Sequence, residues 1–318
     1  MSSGKTYLLF GGGGFIGSHL AECLLEDGCC VKIFDKINFK RSNISHIEHQ
    51  IEVIEGDFNN RVEVRQALKA VDIVVHLVSS TIPSVSMDNI QYDIETNLVA
   101  SVNLLQECVK NGTINKVAFI SSGGTVYGEP QSIPIPVGHP LNPISSYGII
   151  KSAIEYYFLL FQRTYGLSCN ILRFSNPYGE RQNPNGQQGV VPIFLRKILN
   201  DEKISIWGDG EIIRDYIYIK DAVRAVANAV STDDSSAIYN IGSGTGLSLN
   251  ELLQAMQDVC HKTAQIEYIE RRAFDVPRNI LDISVTREKL NWAPQININE
   301  GLELMRNYLS ESSQDISA

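Results

Sequence analysis

Tyr147 and Lys151 stand four residues apart in the run Ser145-Ser146-Tyr147-Gly148-Ile149-Ile150-Lys151. On a helix that spacing puts both side chains on one face, about one turn apart. A free phenol has a pKa of about 10 and is a poor base at neutral pH. A nearby ammonium favours the phenolate, and so does the positive ring of an oxidised nicotinamide. Lowering the phenol by about 3 units asks for roughly 4 kcal/mol, within reach of two desolvated cations. Such a pair can move the proton of a carbinol being oxidised or of a ketone being reduced.

That chemistry needs a hydride carrier, and the stretch from Thr6 to Gly17 has the composition of its cradle. The apolar run Thr6-Tyr7-Leu8-Leu9-Phe10 ends in Gly11-Gly12-Gly13-Gly14, and Gly17 follows three residues later. The pattern predicts a buried strand, a tight turn and a helix from Phe15 to about Asp27, stopped by Gly28. Gly12, Gly14 and Gly17 fit G-x-G-x-x-G, while Gly11, Gly14 and Gly17 fit G-x-x-G-x-x-G. With either spacing, backbone without Cβ atoms admits a diphosphate, and the helix N-terminus favours its charge. The next strand, Cys30 to Phe34, ends in Asp35. A carboxylate there accepts from both hydroxyls of an adenosine ribose and repels a 2′-phosphate, so NAD is the expected cofactor. Lys36 and Arg41 leave some NADP use open.

The elements that must carry these residues follow in order. Ile51 to Ile54 reads as a strand, followed by Asp57, which is placed either to meet the adenine amino group or to cap a helix from Arg61 to Leu68. Ile73 to Val78 is another buried strand, and Ser79, Ser80 and Thr81 let backbone pass close to the cofactor. A helix is predicted from Asn89 to Asn111, with Ile90, Ile94, Leu98, Val102, Leu105 and Val109 on one side and Gly112 as its stop. Lys116 to Ile120 is a strand ending in Ser121-Ser122-Gly123-Gly124-Thr125-Val126-Tyr127-Gly128. A proline-rich loop leads to the Tyr147 helix, which runs to about Tyr165. Tyr156 to Phe161 are apolar in succession and cannot all face one sheet, so either a partner subunit or the C-terminal region must cover the remainder. Alternating strands and helices with short apolar strands imply α/β architecture, a doubly wound parallel (Rossmann) sheet. After the strand from Ser168 to Phe174 the alternation loosens into a smaller mixed α/β substrate-binding region. Residues 1–175, joined by part of 211–240, read as the NAD-binding domain and 176–318 mainly as the substrate domain. The tail from Ser310 to Ala318 is polar and expected to fray.

At 318 residues, 43% hydrophobic and 20% charged, the chain has the makeup of a globular protein with a sizeable core. A net charge of −9 argues against a nucleic-acid surface. No apolar run is long enough to span a bilayer, and the N-terminus does not read as a signal peptide, so a cytoplasmic location is expected. Six cysteines without C-x-x-C pairing are expected as buried free thiols, and the scattered histidines give no metal spacing.

Taken together the motifs resemble the extended short-chain dehydrogenase/reductases, in the nucleotide-sugar branch with UDP-galactose 4-epimerase. The carriers are Gly11 to Gly17, Asp35, Asp57-Phe58, Ser121 to Gly128, Tyr147 to Lys151, Arg173-Phe174-Ser175-Asn176-Pro177-Tyr178-Gly179, Trp207-Gly208-Asp209-Gly210 with Arg214-Asp215-Tyr216, and Asp275-Val276-Pro277-Arg278 before Leu281-Asp282. The resemblance spans almost the whole chain. It implies that Tyr147 is the acid/base and that Lys151 holds the nicotinamide ribose and tunes Tyr147. The cofactor is expected at Gly11, Gly14, Phe15, Ile16, Gly17, Asp35, Asp57, Phe58, Leu77, Asn97, Tyr147 and Lys151. Asn176 and the segment Gly189-Val190-Val191 are expected to meet the substrate diphosphate and base, and Arg214 and Arg278 to clamp phosphates. The resemblance further implies a homodimer through the helices at about 89–111 and 146–165.

Two positions depart from the epimerase pattern. Gly123 stands where epimerases and 4,6-dehydratases carry a Ser or Thr for the sugar O4, so Ser122 or Thr125 would have to substitute. Gly124-Thr125 replaces the dehydratase Asp-Glu pair. Ile82 stands where epimerases offer Lys or Gln to the NAD pyrophosphate, which suits a cofactor exchanged at each turnover. The shared step is hydride transfer at C4 of a nucleotide-diphosphate hexose. The two departures favour reduction of a dTDP-4-keto-6-deoxyhexose for surface-polysaccharide precursors. The alternative is an NAD-dependent UDP-hexose 4-epimerase, for glucose or N-acetylglucosamine. A third possibility, a non-catalytic NAD-binding regulator, fits the intact Tyr147/Lys151 pair least.

Overall fold

Five residues of Thr6–Phe10 form the central strand β1, and four of them, Tyr7 to Phe10, are fully buried. A strand apolar on both faces has helices on both sides, the arrangement of a parallel sheet. The computed structural model describes residues 4–81, 85–232, 236–270 and 276–314. The large sheet adds β2 (Cys30–Asp35), β3 (Glu52–Glu55), β4 (Ile73–His76), β5 (Lys116–Ser122) and β6 (Cys169–Phe174). After β6 come β7 (Asn176–Tyr178), β8 (Ile204–Trp207), β9 (Ile213–Arg214), β10 (Tyr216–Tyr218), β11 (Ser236–Ile241), β12 (Leu247–Ser248), β13 (Ile266–Ile269) and β14 (Arg278–Asn279). The large sheet has seven strands in the order β11-β6-β5-β4-β1-β2-β3, all parallel. Its order reverses between β1 and β4, where a ligand crevice opens outside the carboxyl ends of the strands. β7 pairs with β10, β8 with β13, and β9 with β12 and β14.

The helices are α1 (Phe15–Glu26), α2 (Arg61–Ala67), α3 (Ile90–Asp93), α4 (Ala100–Asn111), α5 (Ser146–Tyr165), α6 (Val190–Leu199), α7 (Ile219–Ser231), α8 (Leu249–Cys260), α9 (Ser284–Leu290) and α10 (Ile298–Gln314). α5 is bounded as its sequence dictates. Ser145 accepts from Gly148 N at 3.2 Å as N-cap, and Gly166 ends the helix in the left-handed region. α10 continues through Gln314, so the segment from Ser310 is helical further than its polarity suggested.

The predicted helix from Asn89 to Asn111 is three pieces. A π-helical turn, Ile94–Val99, joins α3 to α4. Its wider turn rotates the helix faces, so a 3.6-residue count from Ile90 fails. The buried positions are Asp93, Asn97, Ala100, Ser101, Leu104, Leu105, Glu107 and Cys108, while Ile90, Ile94 and Val99 are exposed. Polar residues therefore face inward over the first half of this segment. On α5, Ile150, Ile154, Phe158 and Phe161 are buried, and Ile149, Tyr156, Tyr157 and Leu160 are exposed. Among the described residues, the C-terminal region does not cover that second face. Of the cysteines, Cys30 is exposed and Cys260 partly so; all six are free thiols.

Candidate active site

The glycine turn after β1 settles between its two spacings. Gly11 has φ +81°, which only glycine adopts without strain. A Cβ on Gly17 would lie 2.5 Å from Gly11 O, so helix and turn approach as closely as backbone allows. Gly14 is the N-cap of α1 and no side chain caps that end, which suits an anion there. Gly12 is required by packing instead, since its Cβ would meet Ile33 at 2.7 Å. Gly11, Gly14 and Gly17 thus have the backbone geometry that a phosphate cradle requires.

Asp35 closes the other side of the cradle. Its Oδ2 accepts from Gly13 N at 2.9 Å and its Oδ1 from Lys36 N at 2.8 Å. Burial pushes its carboxyl above the usual range, and the two backbone bonds work against that. Arg41, one of the cations that kept NADP open, is held by Glu48 and by Glu55 at 2.6 Å. The cradle and its carboxylate fit NAD. Asp57 is exposed, and its Oδ1 accepts from Asn59 N and Nδ2, both at 2.9 Å. It does not cap α2; Asn60 does, accepting from Val62 N at 3.0 Å. The Phe58 ring packs between Phe10 and His76, at 5.3 and 5.0 Å, so only its backbone can reach a cofactor. Leu77 continues β4 at the switch point, and a Cβ on Gly11 would sit 3.3 Å from its carbonyl carbon. Asn97 is buried and ties down the loop after β4: its Oδ1 accepts from Ser80 N at 2.9 Å and its Nδ2 donates to Ser80 Oγ at 2.8 Å.

Tyr147 and Lys151 meet as their spacing requires. The Lys151 ammonium lies 5.5 Å from the Tyr147 ring centre and 4.8 Å from that of Phe119, and donates to Ile120 O at 3.0 Å. Burial pushes the Lys151 ammonium down to about 8, opposed by the carboxylates of Asp93 and Glu155. The phenol behaves otherwise than its sequence suggested. Burial pushes Tyr147 up to about 12, with a hydrogen bond to Ser79 pulling the other way and the Asp93 charge adding to the rise. The amine alone does not make Tyr147 a base. Oxidised NAD supplies a hydride acceptor and the additional positive charge that favours the phenolate.

Beside the pair opens a cavity of about 680 Å³, within the range of small-molecule sites. Phe15, Ile16, Ser122, Thr125, Tyr147, Asn176, Val190 and Arg214 line it. The structure thus brings residues from both halves of the chain to one place. Arg214 Nη1 donates to Val276 O at 2.7 Å and to Ile213 O at 2.9 Å, and Asn176 Nδ2 donates to Asp215 O at 2.9 Å. Arg278 is exposed on β14 and does not line the cavity. Thr125 Oγ1 and Ser175 Oγ are buried cavity-side hydroxyls without a hydrogen-bond partner. Such atoms are costly unless a ligand satisfies them.

Gly123 does not face the cavity. A Cβ there would point at the Leu281 side chain, 2.7 Å away. A serine at 123 would clash in the core, whereas Ser122 stands in the cavity wall with Tyr147. The departure counted at Gly123 therefore removes no hydroxyl from the site. Ile82, the other departure, lies outside the described residues.

The pattern of the NAD dependent epimerase/dehydratase family matches residues 7–242. The chain belongs to this family. Within it, a putative UDP-glucose 4-epimerase of Methanocaldococcus jannaschii is 36% identical over 308 residues, covering 96% of this chain and 99% of that one. A dTDP-4-dehydro-6-deoxyglucose reductase of Escherichia coli is 33% identical over 305 residues, covering 93% and 95%. The crystal structure of UDP-glucose 4-epimerase from Thermotoga maritima with UDP-glucose superimposes with a TM-score of 0.92 at 35% identity, over 97% of this chain and 99% of that one. The chain is an NAD-dependent enzyme of the epimerase/dehydratase family, with epimerases and a reductase of nucleotide sugars among its relatives.

Sequence reasoning placed Ser79 near the cofactor but missed its bond to Tyr147, and it missed Asp93, whose charge acts on the pair. Asp93 had one visible signal: it lies four residues before Asn97, on the same helical face.

Proposed function

We propose that the protein is a UDP-hexose 4-epimerase, in which Tyr147 takes the proton from O4 as the C4 hydride leaves and returns it after the sugar has turned. One observation carries this over the reductase: Ser122, and not position 123, shares the cavity wall with Tyr147. Ser122 supports the part of a second hydroxyl for O4, and the main reason for preferring reduction falls away. The epimerase relatives and the cavity volume support the same conclusion. Thr125 and Ser175 offer hydroxyls to the sugar, Asn176 and Val190 border the diphosphate path, and Arg214 offers its charge to the phosphates. Lys151 holds the nicotinamide ribose from behind Tyr147.

The deciding assay supplies UDP-glucose, UDP-galactose or UDP-N-acetylglucosamine with no added cofactor. C4 inversion with NAD co-purifying is the expected result. Stoichiometric NADH loss with dTDP-4-keto-6-deoxyglucose, and no inversion, would instead establish the reductase, which the 33% identical relative supports.

The exposed apolar residues of α3, the π turn and α5 support a homodimer through these helices. Tyr156 and Leu160 are 61% and 50% exposed, and Ile94 and Val99 are exposed too, more large apolar side chains than two helices facing only water need carry. Leu160→Arg is expected to shift the particle from dimer to monomer in analytical ultracentrifugation. An unchanged sedimentation coefficient would place the contact elsewhere.

A further inference from the structure

Asp93 is a fully buried carboxylate at the end of α3. Its Oδ1 accepts from Thr81 Oγ1 at 2.6 Å and from Asn97 Nδ2 at 2.8 Å, and its Oδ2 accepts from Ser146 Oγ at 3.1 Å. The three donors come from three segments around the proton-transfer site. Thr81 belongs to the loop after β4, Asn97 to the π turn, and Ser146 immediately precedes Tyr147. All three are themselves buried. Burying a carboxylate is costly, and hydrogen bonds recover part of that cost. None of these three donors is a cation. The negative charge is held in place and acts at short range, through little water, on the groups it faces.

Those groups are Tyr147 and Lys151. Two further titratable side chains face Lys151. Glu155, one turn on along α5, is paired with Arg173 at 2.6 Å. His76, at the end of β4, is pushed down to about 3 by burial and by the Lys151 charge, so it is neutral. The Ser101 hydroxyl donates to Asn97 O, so its lone pair accepts from His76 Nε2–H at 2.7 Å. Neither His76 nor the Glu155–Arg173 pair offers Lys151 the uncompensated charge that Asp93 does.

We propose that Asp93 is a positioning residue for the proton transfer: it ties the first turn of α5 to the π turn and the loop after β4, and its carboxylate is the counter-charge faced by Tyr147 and Lys151. The inference rests on Tyr147 and Lys151 acting as proposed above. A charge of this sign favours the protonated form of both groups. Removing it shifts both titrations the same way, toward acid. A purely structural role would lower the rate without moving either.

The test is an NMR titration of Lys151 in protein labelled at the lysine ε-carbon, with Lys151→Met assigning the resonance. It needs no substrate, so it can succeed or fail independently of the epimerase assay. In Asp93→Asn the Lys151 midpoint is expected to fall by roughly half a pH unit or more. The alkaline limb of the pH–rate profile should move with it. Asp93→Ser, which leaves room for water among the same donors, gives the same comparison if the amide does not fold. Asp93→Glu keeps the charge and should restore the midpoint. Ser146→Ala keeps the charge and loosens the tie, so it should lower kcat and leave the midpoint where it is. A folded neutral variant with an unchanged Lys151 midpoint would overturn the counter-charge. A shift that Asp93→Glu does not reverse would assign the effect to packing and overturn it equally. Unchanged kcat in Ser146→Ala would overturn the tie.

Discussion

Tyr147→Phe loses about 10²–10⁴-fold in kcat, the span that general acid–base catalysis covers, while UDP binding measured by calorimetry stays within about twofold. On the proposed function the Tyr147 phenol, which lines the cavity, exchanges the proton with O4, and Lys151 donates to Ile120 O at 3.0 Å. The fold should survive the change. In the neutral enzyme the Tyr147 hydroxyl bonds Ser79, whose own hydroxyl donates to Thr81 O at 3.1 Å. Removing the phenol oxygen therefore strands no donor of Ser79. A loss in kcat with binding intact is the signature of an interaction made in the transition state. Turnover within tenfold of wild type would remove Tyr147 from its role and send the search for the acid/base to Ser122.

The second large effect lies behind the site. Arg173 on β6 and Glu155 on α5 are both buried, and the guanidinium donates to Glu155 through Nε at 3.1 Å and Nη2 at 2.6 Å. The same guanidinium donates to Tyr127 OH at 2.9 Å and to Val137 O at 3.0 Å, and Tyr127 OH donates to Asn240 Oδ1 at 2.7 Å. Ser121 also donates to Glu155. This network joins β5, β6, β11 and the catalytic helix. Arg173→Met leaves a carboxylate buried with one remaining hydroxyl donor, and is expected to cost about 3–5 kcal/mol in urea unfolding. Arg173→Met with Glu155→Leu should recover much of that, because the charge goes with its partner. A single-variant loss under about 1 kcal/mol would mean that water reaches Glu155 and that the pair is not sealed.

The parallel sheet was legible because each strand is a short apolar run bounded by glycine or polar turns. Asp35 and the four-residue spacing of Tyr147 and Lys151 were equally plain, since both depend on neighbours in sequence. The polar face of Asp93, Asn97 and Ser101 was not. A π turn changes the period, and Ile90 and Ile94, which had been placed on one apolar side with Leu105, are left exposed. The Gly123 departure misled for a related reason. Whether a missing side chain matters depends on where its Cβ would point, and here that is into Leu281, 158 positions away in the chain and adjacent in space.

By itself the sequence determined the cofactor class, the juxtaposition of Tyr147 and Lys151 and the fold, because helix period, strand alternation and glycine spacing are local properties of the chain. Only the tertiary structure decided that Ser122 and not position 123 lines the cavity, that Arg214 reaches the cavity and Arg278 does not, and that the buried Asp93 bears on Tyr147 and Lys151. Those outcomes depend on long-range contacts, in which direction and desolvation, not residue type, set the chemistry.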